Sequence, residues 1–160
     1  MKQVVAASAA LGTLPNKLPQ GVYYGGAWHR SSSQQIPVYS PSTGQEVAKV
    51  DSAGEEELEA AVKAATAGQK IWAKTIPLER SRVMREAASK IKEHKEELAR
   101  LDALDSGNSL RGMLFDVDIA VTLMEFFAGL ATEIKGETVP VGAGKVNYVV
   151  REPVGVVARI

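Results

Sequence analysis

The stretch Val154–Ile160, VGVVARI, limits the possible fold more than any other. Apart from Arg159 its residues are apolar or small, with Val at 154, 156 and 157 and Ile at 160, so it reads as a strand buried on both faces. Such strands sit inside parallel sheets, and the next parallel strand is reached through a crossover, usually a helix. No crossover follows Ile160. The expectation is therefore the opening strand of a sheet whose other members belong to a longer polypeptide. Pro153, which cannot donate to a ladder, separates this strand from the chain before it.

Upstream, the signals run strands, helices, strands. GVYYGGAWHR, residues 21–30, carries β-favouring aromatics around Gly25-Gly26, which predicts a short strand with a tight turn or bulge. IPVYSPSTGQEVAKV, residues 36–50, predicts a hairpin: Pro41 presets a turn and Gly44 can take a positive φ. Ser52 with Glu55 three residues on reads as a capping box, opening a helix whose Leu58, Val62, Ala65 and Trp72 form an inward stripe. Pro77 suits the first turn of a second helix, and Val83, Ala87 and Ile91 keep its period. At His94 the phase slips to Leu98, Leu101 and Leu104, which predicts two consecutive helices or a kink, with Gly107 as the stop. The most apolar helix follows, with Met113, Val117, Val121, Met124, Ala128 and Ala131 on one face, flanked by Phe126 and Phe127; this width predicts burial on more than one side, and Gly136 closes it. From Glu137 the pattern is extended chain around a Gly-Ala-Gly turn. This order predicts an α/β or α+β class.

Composition narrows the function. The 19 Lys+Arg offset 19 Asp+Glu, and the longest single-sign run of charge is Glu55-Glu56-Glu57, which argues against a nucleic-acid or anionic-membrane binder. With no cysteine, these 160 residues contain no disulfide, thiolate metal site or cysteine nucleophile. The two histidines, His29 and His94, stand at no zinc-ligand spacing with Asp or Glu. MKQVVAASAALGTLP has one Lys and an Ala/Ser-rich rather than Leu-rich run, so residues 1–20 read as a peripheral tail rather than a signal peptide. No other stretch approaches the roughly 20 apolar residues of a membrane span.

The candidate chemistry is thin. VGAGKVN has a Gly-x-Gly before Lys145, but it leads into a strand, whereas a phosphate cradle needs a helix N-terminus. Asp105, an acid at a helix C-terminus, is poorly placed for the helix dipole and calls for a partner such as a cation or a backbone N–H. Asp116 and Asp118 do not share a helix face and read as a solvated edge. The residues by themselves identify no nucleophile, base or electrophile.

Taken in order, YYGGAWHRS, YSPSTGQEVAKV, EEELEAAVKAATAGQKIWAK, PLERSRVMREAASKIKEHKEELARLDALDSGNS, FFAGLATEIKGETVP and YVVREPVGVVARI resemble the N-terminal portion of the aldehyde dehydrogenase superfamily, over nearly all of residues 21–160. The resemblance implies an α/β protein with an incomplete Rossmann-like cofactor domain over residues 21–134. Residues 135–153 would be strands of an oligomerisation arm, and 154–160 the first buried strand of the cofactor sheet. It also implies oxidation of an aldehyde to a carboxylic acid with NAD or NADP, through a cysteine thioester hydrolysed with the help of a glutamate, an asparagine holding the oxyanion. All three of those residues would lie beyond Ile160, so the chain carries no catalytic residue and is expected to be inactive alone.

What carries over is limited. Asp105 matches an acidic residue that in some members helps bind a structural monovalent cation, together with a carbonyl near Val38 or Tyr39. Ile160 matches a strand end beside the adenosine part of the cofactor, and Phe115 and Ile119 match positions lining the substrate channel in some members. The spacing from Asp105 to Asp116 departs by a residue from that pattern. Expected partners are a small aldehyde and further copies of the chain, as a cytoplasmic homodimer or homotetramer. A different class of reading is a stand-alone, non-catalytic oligomerisation or regulatory module derived from the same fold.

Overall fold

A computed structural model of the chain describes residues 20–31 and 33–159. Strand β1 (Val22–Tyr24) turns at Gly25-Gly26 into β2 (Ala27–His29), with Tyr23 opposite Trp28 and their rings edge to face at 5.2 Å. Strands β3 (Gln35–Tyr39) and β4 (Glu46–Asp51) form the second predicted hairpin, irregular in register at Val38/Tyr39. In its turn the Ser40 carbonyl accepts from the Thr43 and Gly44 N–H groups at 3.3 and 2.7 Å, and Ser40 itself is buried.

The first helix, α1 (Glu55–Lys74), starts two residues later than the sequence suggests. The Ser52 N–H stays with the strands, donating to the Gln34 carbonyl at 3.1 Å, so the cap falls to Gly54. The Gly54 N–H donates to Glu57 Oε2 at 2.8 Å, satisfying one of the donors a helix start leaves open. Helix α1 lies against β1 with Ala60, Ala61 and Ala64 half-buried. Its predicted inward stripe is not covered: Leu58, Val62 and Trp72 are exposed, Leu58 by 60%. The cause is area, since a hairpin with two three-residue strands reaches only part of a 20-residue helix.

Helix α2 (Pro77–Glu93) begins on Pro77, where a missing N–H costs nothing. His94 forms the expected break: its N–H donates to the Lys90 carbonyl at 3.2 Å and its carbonyl accepts from the Leu98 N–H at 3.0 Å, closing α2 and opening α3 (Lys95–Ser106). Gly107, at φ +76°, ends α3 in the left-handed conformation. Helix α4 (Leu110–Leu130) is capped by Ser109 Oγ, which accepts from the Gly112 N–H at 3.2 Å, and it stops at Leu130 rather than running to Gly136.

Helices α2 and α3 both pack on α4. Ala99, Ala103 and Met113 form the buried cluster, with Leu110, Leu114 and Val117 against it; Ala88, Val121, Ala128 and Ala131 are buried as well. Alanine dominates this interface, so the helices approach closely while the bulkier side chains stay outside. Burying a side chain as large as Met113 contributes about 1.5–3 kcal/mol, and an alanine less. Helix α4 is consequently buried on one side only, against the expectation of two.

Strands β5 (Glu137–Val139) and β6 (Asn147–Val149) form a third antiparallel hairpin, and both are exposed throughout. Residues 154–159, expected as a buried strand, form no ladder, and Val154 is 96% exposed. A strand exists only by pairing, and each of the six described strands pairs only with its own hairpin partner. Ile160 lies outside the described residues. Among those described, no helix is long and apolar enough to cross a membrane.

Candidate functional site

Two surfaces collect the residues singled out in the sequence. The first is the corner where α3 meets the β3–β4 hairpin. A side chain at Gly107 would bring its Cβ to 3.0 Å from Pro41 Cγ, so the glycine lets the turn seat against the helix end. This contact opens a groove of about 600 Å³, walled by Val38, Val47 and Val50 on the sheet side and by Leu98, Leu101 and Leu104 on α3. The leucine stripe thus faces the groove, and Ala99 and Ala103 carry the helix contact instead. Asp102 and Asp105 are the acidic residues of the wall. Asp105 and Val38 both line this groove, whereas Tyr39 is not part of it.

As a cation site this corner has a sparse donor set. Among the described residues no three His, Cys, Asp or Glu come together. The other walls are mostly aliphatic, so a divalent ion, which needs several oxygen ligands, is poorly matched.

The second surface is the outer face of α4. Phe115 and Ile119 stand one turn apart, 64% and 40% exposed, and Leu123 and Phe126 continue the stripe. The buried Met113, Val121 and Ala128 occupy the opposite side. Phe126 and Phe127 meet edge to face at 5.4 Å. An exposed apolar stripe of this kind marks a surface that another element or an apolar ligand covers. Of the two aspartates on this helix, Asp118 is not simply solvated: it accepts from Lys95 Nζ at 2.6 Å, tying α4 to the start of α3.

The remaining candidates stay apart from both surfaces. The Gly-x-Gly at 142–144 lies in the open β5–β6 loop and leads into a strand. The described residues therefore offer no helix N-terminus behind a glycine loop to hold a dinucleotide. His29 is structural: it stacks on Tyr24 at 3.9 Å, and its Nε2 lies 3.2 Å from the Tyr24 carbonyl. A hollow of about 260 Å³ joins Trp72 at the end of α1 with Arg80 and Met84 of α2 and Phe127 and Leu130 of α4. Sequence reasoning missed it, because Trp72 and Arg80 lie on different helices and only the turn at Thr75-Ile76 brings them together.

The order of helices and strands defines a mixed α/β architecture, and the comparisons name the family. The family model described as aldehyde dehydrogenase family matches residues 28–160, so the chain belongs to that family. The structure of PnpE in complex with nicotinamide adenine dinucleotide is 31% identical, covers 86% of this chain and superposes with a TM-score of 0.81. A double mutant of betaine aldehyde dehydrogenase from Staphylococcus aureus, in complex with NAD+, is 28% identical over 92% of this chain with a TM-score of 0.82. A 3,6-anhydro-L-galactose dehydrogenase with NADP bound is 30% identical over 79% of the chain with a TM-score of 0.74. The chain spans 27–30% of the length of these three proteins.

Proposed function

We propose that this chain is the N-terminal segment of an NAD(P)-dependent aldehyde dehydrogenase that converts an aldehyde and water to a carboxylic acid while reducing the nicotinamide. The observation that carries the reading is the continuous family match over residues 28–160, together with close superposition on relatives solved with NAD or NADP. The cysteine nucleophile, the glutamate and the oxyanion asparagine belong to sequence outside these residues. Within the chain, Phe115 and Ile119 supply an apolar wall of the substrate channel, excluding water from the aldehyde. Asp105 contributes the carboxylate of a monovalent cation site that braces the hairpin against α3. Ile160 would border the adenosine half of the cofactor. Residues 21–134 belong to the cofactor domain and 135–153 to an oligomerisation arm, a role that suits the exposed β5–β6 hairpin, in a cytoplasmic homodimer or homotetramer.

The test pairs the product isolated from its source with the 160-residue chain made alone. Intact mass and aldehyde-dependent reduction of NAD and NADP are measured on both. A source product well above 17.1 kDa that turns over aldehydes, beside an inert short chain, is the expected result. An inert source product of 17.1 kDa would instead establish the non-catalytic module.

A further inference from the structure

We propose that the hollow between the end of α1, the start of α2 and the end of α4 binds a small carboxylate carrying an apolar tail. Its walls are Trp72, Met84, Phe127, Leu130 and Ile134, and its one charged residue is Arg80. Among the described arginines Arg80 alone is half-buried rather than exposed, and its side chain makes no hydrogen bond or ion pair with any described residue. The contrast lies on the same helix. Arg82 pairs with Glu79 and Glu86, and Lys90 with Glu93, yet both cations are exposed and need pairing less.

A half-buried arginine lining an apolar hollow, with no counter-ion on its side chain, leaves its guanidinium donors open to an added anion. A carboxylate fits best because its two oxygens match the guanidinium fork. The apolar and aromatic walls then hold an aliphatic or aromatic tail. They disfavour a hydrated phosphate, and the lining holds Arg80 but no Asp or Glu, so an amine meets a like charge without a carboxylate to offset it. At about 260 Å³ the hollow lies just under the roughly 300 Å³ at which ordinary ligand pockets begin, so the ligand is a short acid rather than a nucleotide. A carboxylate on another polypeptide segment has the same chemistry; the proposal commits to the free acid.

The experiment uses the whole protein labelled with 5-fluorotryptophan, the Trp72 fluorine signal being assigned by its loss in Trp72→Phe. Phenylacetate, added to about 10 mM, is expected to shift that signal saturably, while the neutral phenylacetamide leaves it in place. Arg80→Gln should weaken binding about tenfold or more, the loss typical of a charge-assisted hydrogen bond. Met84→Glu, which places a carboxylate one turn from Arg80, should block the shift as well. An unchanged Trp72 signal in the wild type would show that protein covers the hollow and overturn the proposal. So would a shift of equal size in Arg80→Gln. The Trp28 signal reports whether each variant is folded. Because no aldehyde or nicotinamide enters the readout, the outcome is separate from that of the activity test.

Discussion

At the scale of single residues, the fold depends on a few positions where a side chain cannot be added. Gly21 holds φ +111°, and a Cβ there would stand 2.2 Å from the His29 carbonyl oxygen. That oxygen is backbone in the β1–β2 ladder and cannot swing aside. Gly21→Ala should therefore cost more than about 2 kcal/mol, combining left-handed strain with the clash, and a urea melt reads the loss directly. At the end of the β3–β4 hairpin, Asp51 is 5% exposed in its side chain; Gln35 donates to one of its oxygens at 2.8 Å, and Arg30, just after β2, faces the other at 3.7 Å. That second oxygen has no hydrogen bond, so Arg30 is its counter-charge and not a donor to it. The glycine turns were legible in the sequence because φ is a local property. The Arg30–Asp51 pairing was not, because it depends on how two hairpins sit together.

The helices show which signals survive from sequence to element. Pro77, the phase slip at His94 and the stop at Gly107 mark boundaries correctly, since each acts within one turn of itself. Predictions of burial fared worse. Stripes on α1 and α4 indicate that a face is apolar, but coverage depends on the neighbour, and only Ala-rich faces meet one here. Charge on α2 supports a prediction of its own. The hydrogen bond from Arg82, with its charge, holds the Glu79 carboxyl below its ordinary value of 4.5, and Lys90 does the same for Glu93. A depressed carboxylate pKa contributes stability above the unfolded value that is lost as pH falls through the folded one. Arg82→Gln should thus be slightly less stable than wild type at neutral pH, and the gap should close as pH drops below the ordinary carboxylate range. Thermal melts from pH 7 to pH 2.5 at low salt follow this, and added salt should shrink the gap, because all these groups face solvent.

For the molecule as a whole, the apolar surface exceeds what a core of alanines, Met113 and Val121 accounts for. The family and its α/β architecture were readable from ordered motifs, whereas the groove and hollow were not, since each is assembled from elements distant in sequence. Phe115 separates the two roles such surface can have. With its ring 64% exposed, Phe115→Ala should change the stability of this chain by less than about 0.5 kcal/mol. In the complete enzyme the same substitution should alter KM and kcat/KM for bulky aldehydes more than for small ones. An unchanged substrate profile would remove Phe115 from the channel. One contact also fixes a dimension of the fold. The β3–β4 turn rests on the end of α3 through Pro41 and Gly107, with no space for a methyl group between them. Surface loops ordinarily absorb insertions with little penalty. Here an added residue would lift the turn from its seat and detach the hairpin from the helices, so this loop has a set length, as a strut does.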